Sequence, residues 1–227
     1  MNNIQALLSD IPAFLLNLII VLLALTVHEV AHGYAAYKLG DPTARAFGRL
    51  SLNPIRHLDP VGFLCMVFFR FGWAKPVPVN TRYFKKPRRD MAICALAGPL
   101  SNIILSFAAL LVLRIFVALI LASPEMLDSE FANNFAMLLL NFLSQFIWLN
   151  LYLGIFNLIP VPPLDGSRIL FVILPDKYYF GIMKYEQYIK LALIILLYLG
   201  WLSGPLSVVS TYVFEGMDFI ISLIPGL

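Results

Sequence analysis

The sequence is poor in charged residues and in cysteine. Only 13% of its 227 residues are Asp, Glu, Lys or Arg, whereas 60% are hydrophobic, and the mean hydropathy is +0.84. This balance excludes an ordinary soluble globular domain. The two cysteines, Cys65 and Cys94, are far apart in apolar surroundings. They predict neither a disulfide framework nor a thiolate metal site, and both are expected to be small buried hydrophobic residues.

Five apolar runs predict an α-helical polytopic membrane protein with about five transmembrane helices. A helix needs about 20 mostly apolar residues to cross the hydrocarbon core of a bilayer. The runs cover residues 11–37, 91–122, 135–160, 189–202 and 206–224. Because these spans use most of the chain, residues 1–227 are predicted to form a single membrane-embedded domain. Its catalytic core is expected at about 11–170 and its C-terminal spans at about 189–224.

The segment at about 45–80, between the first two runs, has a different pattern. Its short apolar stretch at 62–74 contains two glycines and Arg70, which suits a re-entrant or interfacial segment better than a span. The flanking residues mix apolar positions with Gly, Pro and Asn at short intervals, which favours short strands and turns. A small strand-rich or re-entrant segment at the membrane surface is therefore predicted.

Lysine and arginine are concentrated in one part of the chain, and this predicts the topology. Residues 38–90 contain 11 of the 16 Lys and Arg residues and only three acids. The positive-inside rule places this segment in the cytoplasm and the N-terminus outside, and alternation of five spans then places the C-terminus in the cytoplasm. The basic residues are interpreted as contacts to the lipid bilayer, and no nucleic-acid partner is predicted.

The stretch LTVHEVAHGYA, at residues 25–35, ends the first apolar run with three ionisable side chains. On a helix, His28 and His32 lie one turn apart on the same face and can bind one zinc ion, while Glu29 beside them can accept a proton from water. Each ionisable residue at membrane depth costs on the order of 3 kcal/mol. A functional metal site is therefore favoured over isolated histidines, with one Zn²⁺ per chain.

A catalytic zinc site uses three protein ligands, so a third ligand must come from elsewhere. Asp165 follows the third apolar run in a proline-broken stretch, at the same cytoplasmic end as the histidines. His57 and Asp59, in the basic segment, stay open as rival ligands or supporting residues. Glu215 and Asp218 lie in the middle of the last predicted span, and the sequence assigns them no partner.

Three motifs, HEVAH, AGPLSN at 97–102 and NLIPVPPLDG at 157–166, occur in this order along the chain. In this respect the chain resembles the site-2 protease family of intramembrane zinc metalloproteases. The resemblance covers about residues 20–170 and implies that His28, His32 and Asp165 bind zinc, with Glu29 as the general base. Many relatives also carry a PDZ or a C-terminal regulatory domain, for which this chain has no room. A compact prokaryotic member of the cell membrane is expected, with its active site towards the cytoplasmic side.

The resemblance also assigns roles to two asparagines. Asn157, eight residues before Asp165, matches a family position thought to hold the substrate carbonyl or the developing oxyanion. Asn102, the last residue of AGPLSN, matches a second polar position near the site. For Asn102 two interpretations stay open: a direct catalytic role, as the resemblance implies, and a polar residue that packs helices together after the Gly-Pro pair.

The expected function is hydrolysis of peptide bonds in or near transmembrane helices of membrane-protein substrates, as in regulated intramembrane proteolysis. One alternative is a non-catalytic membrane module that binds metal for structure, although such a site does not need Glu29. The other is an ion or metal transporter, in which intramembrane ionisable residues line a path, but the sequence shows no inverted repeats. The oligomeric state is not predicted.

Overall fold

The structure is a computed structural model that describes residues 2–69 and 72–226; Arg70, part of the predicted re-entrant segment, lies outside the described residues. Short 3-10 helices occur at Pro54–His57, Thr81–Tyr83 and Pro124–Leu127. The α-helices are α1 (Asn2–Lys38), α2 (Thr43–Ala46), α3 (Pro60–Phe69), α4 (Pro87–Ala122), α5 (Glu130–Asn157), α6 (Asp165–Ile173), α7 (Asp176–Met183), α8 (Glu186–Tyr198) and α9 (Ser203–Ser222).

In the part of the chain that the structure describes, three helices are long and apolar enough to cross a membrane: α4, α5 and the part of α1 at Ile11–Lys38. In lipid, every backbone N–H and C=O group must find its partner inside the protein, and a helix does this within one segment. The three helices pack against one another, with Leu110 of α4 and Ile147 and Leu151 of α5 fully buried in a shared apolar cluster. The prediction of an α-helical membrane protein is confirmed.

The C-terminal region contributes one candidate span. Helices α8 and α9 meet at a bend of 81°, and they qualify as a span only when they are taken together. The described residues therefore contain three or four candidate spans, fewer than the predicted five. Helix α9 packs against the bundle. Phe214 stacks on Trp148 of α5 with ring centroids 4.9 Å apart, and Met217 and Ile221 extend the apolar cluster.

The contacts of α9 define its direction in the bundle. Phe214 of α9 stacks on Trp148, in the second half of α5, and one turn further along α9 Asp218 pairs with Arg114, in the second half of α4. Helix α9 is therefore antiparallel to α5, and its C-terminal end lies at the same end of the bundle as the start of the α1 span. The sequence prediction placed the two chain ends on opposite sides because it counted α8 as a separate crossing.

The segment at 45–80 is mostly helical and irregular rather than strand-rich. Among its described residues the structure has no named strand, only an isolated antiparallel bridge between Leu58 and Ala74. The chain returns along α3 at very short range, since a Cβ atom on Gly62 would lie 2.2 Å from the carbonyl oxygen of Trp73. This close return fits the predicted re-entrant shape, but a helix forms its first arm.

Asp218, for which the sequence offered no partner, forms an ion pair with Arg114. The Nε–H group of Arg114 donates to Oδ1 of Asp218 at 2.8 Å, and Nη2 donates to both carboxylate oxygens. Both residues lie on helices of the apolar bundle, where an unpaired charge is costly. The pair therefore connects α9 to α4.

We expect Asp218→Ala to lower the Tm of the detergent-purified protein, because it leaves Arg114 uncompensated in apolar surroundings. Glu215→Ala is the matched control, since Glu215 is an exposed acid on the same helix. The exchange of Arg114→Asp with Asp218→Arg should recover part of the lost Tm. Equal Tm values for the two alanine variants would contradict the role of the ion pair.

Candidate metal centre

Three predicted metal ligands meet at one point in the structure. His28 and His32 lie one turn apart on α1, and Asp165 is the first residue of α6. The Oδ2 atom of Asp165 lies 3.1 Å from Nε2 of His28 and 3.2 Å from Nε2 of His32, and the two Nε2 atoms are 3.0 Å apart. Residues more than 130 positions apart in sequence thus converge within the helical bundle.

The outer nitrogen of each imidazole is held by an acceptor, and this fixes the tautomers. Asn102 donates its side-chain N–H groups to the carbonyl of Ala24 at 3.3 Å and to Oδ1 of Asn150 at 2.8 Å, so its own Oδ1 must be an acceptor. His28 therefore donates its Nδ1–H to Asn102 Oδ1 at 2.6 Å. The second imidazole, that of His32, donates its Nδ1–H to the carbonyl of Cys94 at 2.8 Å.

The arrangement leaves three acceptors facing one another. With Nδ1 protonated, each neutral imidazole presents the lone pair of Nε2 inwards. Oδ2 of Asp165, buried and without a hydrogen-bond partner, completes the set. Two imidazole nitrogens and one carboxylate oxygen are a donor set that zinc favours, and the ligand atoms of a tetrahedral zinc ion are about 3.3 Å apart. The residues fit a zinc ion.

Helix α4 supplies both the space and the support for the two histidines. A Cβ atom on Gly98 would lie 2.4 Å from Nε2 of His32 and 2.7 Å from Cε1 of His28, so only glycine lets α4 approach the rings. Asn102, one helical turn further on the same face, contacts His28. The AGPLSN motif therefore shapes the site through these two residues.

Asp165 reaches the histidines because the chain leaves the membrane helix α5 in a tight, proline-rich turn. A Cβ atom on Gly166 would lie 2.3 Å from the carbonyl oxygen of Leu158, which shows how closely the turn folds back. Ser167 then donates its N–H to the carbonyl of Leu164 at 3.0 Å and its Oγ–H to the same oxygen at 2.7 Å. Helix α6 packs against α4, which fixes its first residue beside the histidines.

Glu29 lies next to His28 on α1 but forms a separate contact. Its Oε2 atom accepts a hydrogen bond from the backbone N–H of Val77 at 2.7 Å, and its side chain is half-buried. A carboxylate beside a metal site can act as a proton acceptor. No signal in the sequence indicated Val77, because the contact is made by its backbone.

The remaining predicted residues lie outside the ligand cluster in the described part of the chain. Asn157 donates its Nδ2–H to the carbonyl of Leu153 in its own helix at 2.9 Å. His57 is buried and faces the carbonyl of Ser51, while Asp59 accepts from the N–H of Gly62 near the start of α3. The two rival ligands therefore support the re-entrant segment instead of the metal centre.

A helical membrane bundle with two histidines, a carboxylate ligand and an adjacent glutamate is the type of site found in membrane zinc metalloproteases. The family model of Peptidase family M50 matches residues 16–199. The chain belongs to this family, the site-2 protease family.

Named relatives agree with the family assignment. The chain is 44% identical over 181 residues to YwhC of Bacillus subtilis (strain 168), which carries the provisional name zinc metalloprotease; the alignment covers 80% of this chain and 78% of the relative. It is also 32% identical over 205 residues to Zinc metalloprotease MJ0392 of Methanocaldococcus jannaschii, with 88% of this chain and 48% of the relative covered. The chain thus spans about half the length of the second relative. No solved structure gives a significant match.

We expect the native protein, purified in detergent, to contain about one zinc ion per chain and the Asp165→Ala variant to lose most of it, because two histidines alone leave the site one ligand short. Glu29→Gln is the control, since Glu29 is not among the three converging residues. Metal content measured by atomic emission decides the point. Full zinc in Asp165→Ala would mean that the third ligand lies elsewhere.

A second prediction concerns the space at α4. Gly98→Ala should greatly reduce the zinc content, because the new Cβ atom must displace the ring of His32. Gly216→Ala, in α9, is the matched control, since nothing in the structure lies within 4 Å of a Cβ atom built there. Native zinc content in Gly98→Ala would show that α4 moves away at little cost.

Proposed function

We propose that this protein is an intramembrane zinc endopeptidase that hydrolyses peptide bonds in or near the transmembrane helices of membrane-protein substrates. The proposal rests on one observation above all: His28, His32 and Asp165 direct three acceptors at one point beside Glu29. Membership of a metallopeptidase family supports the same reaction class. A purely structural metal site would not need a carboxylate base at this position.

In this proposal the three converging side chains hold one zinc ion, and Glu29 is the general base. Zinc bound there supplies Lewis-acid activation of a water molecule and of the scissile carbonyl. Glu29 accepts the proton of the attacking water and later delivers it to the leaving amine. One of its oxygens, Oε2, is already engaged by Val77, so Oε1 is the atom proposed to take the proton.

The two asparagines receive different roles in the proposal. Asn102 uses both of its N–H groups on Ala24 and Asn150 and its oxygen on His28, so it has no donor left for substrate. We therefore assign it to orienting His28. Asn157 donates one N–H to its own helix, and its second N–H stays available as the proposed donor to the oxyanion.

A groove between α1, α5 and the junction of α8 with α9 offers a path for the substrate. Its volume is about 910 Å³, and it extends from Asn17 and Gln145 to Leu25 and Phe156. Leu25 and Phe156 are close in sequence to the residues of the metal centre. A transmembrane substrate helix would have to unwind near the site, because its carbonyls are engaged in i to i−4 hydrogen bonds. Substrates with helix-weakening residues close to the scissile bond are therefore favoured.

The test is cleavage of synthetic single-span peptides by the protein reconstituted in lipid vesicles. The panel places Gly, Asn or Pro at successive positions of one Leu/Ala span, and mass spectrometry identifies the products. The native protein should cleave some of these peptides, whereas Glu29→Gln should reduce the rate by a factor of about 100 or more. A chelator should abolish cleavage, and added zinc should restore it.

Two results would count against the proposal. Equal cleavage by Glu29→Gln would remove the general base or indicate a contaminating protease. Failure of the zinc-loaded native protein to cleave any peptide of the panel would favour a non-catalytic metal-binding module.

A further inference from the structure

A short extended segment crosses the site beside Glu29. It consists of residues 75–80, with the sequence KPVPVN, and we call it the strap. Three ionisable side chains contact its backbone. Arg49 donates from Nη2 to the carbonyl of Lys75 at 2.5 Å, Glu29 accepts from the N–H of Val77 at 2.7 Å, and Asp41 accepts from the N–H of Asn80 at 2.7 Å.

The two ends of the strap are fixed without any help from Glu29. Asp41 is fully buried and is itself held by the N–H and the hydroxyl of Thr43. Arg49 is 8% exposed, and the N–H of Lys75 donates to the carbonyl of His57 at 2.8 Å. The position of the central residue is therefore set by contacts outside the metal centre.

The composition of the strap restricts what its middle can do. Pro76 and Pro78 have fixed φ angles and no N–H, and each keeps the residue before it extended. Val77 therefore provides the one backbone N–H in the middle of the strap, between those of Lys75 and Val79. A stiff segment held at both ends presents this single donor to Glu29.

Packing alone does not account for this arrangement. The Val77 side chain is buried close to Gly33, where a Cβ atom would lie 3.0 Å from Cγ1 of the valine. That contact positions the Val77 side chain, but it does not require the backbone N–H of Val77 to point at Glu29. A hydrogen bond from a fixed donor restricts the rotation of a carboxylate and selects which oxygen is free.

We infer that Val77 is a positioning residue, whose backbone N–H holds Oε2 of Glu29 so that Oε1 is presented for proton transfer. The inference rests on the proposed function, because it assumes that Glu29 is the base. The strap, whose ends are held by Arg49 and Asp41, thereby connects the segment at 45–80 to the proposed general base.

Amide hydrogen exchange tests the contact without any substrate. The strap has only four backbone N–H groups, those of Lys75, Val77, Val79 and Asn80. The number of these four amides that exchange rapidly should be larger by one in the zinc-loaded Glu29→Ala variant than in the native protein. The additional amide is that of Val77, which has lost its acceptor. Glu29→Gln is the matched control, since its side-chain oxygen still accepts, and its exchange should stay close to native.

Proline substitution tests the role of the contact in catalysis. Val77→Pro removes the donor in a segment that already suits proline, and it should lower kcat by about 10- to 100-fold, the usual cost of losing a group that orients a catalytic residue. The KM for the peptide that the native protein cleaves best should change by less than about twofold, and zinc should stay at about one per chain.

One control separates the lost donor from other effects of proline. Val79→Pro adds the same ring at an amide for which the described residues show no hydrogen bond. It should keep kcat near the native value.

Several outcomes would overturn the inference. Equal losses of kcat in Val77→Pro and Val79→Pro would assign the effect to proline itself, and unchanged exchange in Glu29→Ala would mean that the contact does not form in solution. A native protein that cleaves no peptide would overturn the proposed function and the role of Val77 with it. In that case the exchange experiment would still report on the contact alone.

Discussion

The structure depends on one electrostatic constraint: three acceptors are directed at a single point inside an apolar bundle. Two neutral imidazole nitrogens and one carboxylate oxygen, all within 4.8 Å, repel one another unless a cation lies between them. Water cannot easily relieve this repulsion at membrane depth, where few solvent molecules are available. Helices α1 and α6 bring the three acceptors together, and α4 places Gly98 and Asn102 against the two histidines.

The supporting contacts show how a membrane protein builds such a site with few polar side chains. One histidine is held by an asparagine, Asn102, and the other by a backbone carbonyl, that of Cys94. The general base proposed here is held by a backbone N–H, that of Val77. Backbone groups are strong donors and acceptors, so the backbone beside the site, helical at Cys94 and extended at Val77, supplies polarity without additional ionisable residues. Gly98 contributes by having no side chain, which leaves room for the two histidine rings.

The sequence indicated which side chains lie together better than it indicated their surroundings. His28 and His32 were predicted from helical spacing and Asp165 from the proline-broken stretch that ends α5, and the three side chains lie together in the structure. Their role as zinc ligands is part of the proposal. For Asn102 the sequence left a direct catalytic role and a helix-packing role open. Its contact with His28 was not predicted, because spacing does not show what an intramembrane asparagine contacts. The roles of Val77 and Cys94 had no signal, since a backbone contact leaves no trace in residue type. The described residues of 45–80 show one isolated bridge instead of the expected strands, because alternation of Gly, Pro and Asn also suits short helices and extended turns.

The C-terminal helices show that the hydropathy of a short run does not by itself identify a membrane span. An apolar run of 14 residues at 189–202 was counted as a crossing, although a helix of that length is about 21 Å long and shorter than the hydrocarbon core. The bend of 81° turns α8 away from the direction of α9, and the two helices qualify as a candidate span only when they are taken together. Asp218 could have revealed this from the charges, since its partner Arg114 lies in the half of α4 distant from the metal centre. In a chain with so few charges, the pairing of an intramembrane acid with an intramembrane base restricts helix direction more strongly than the length of an apolar run.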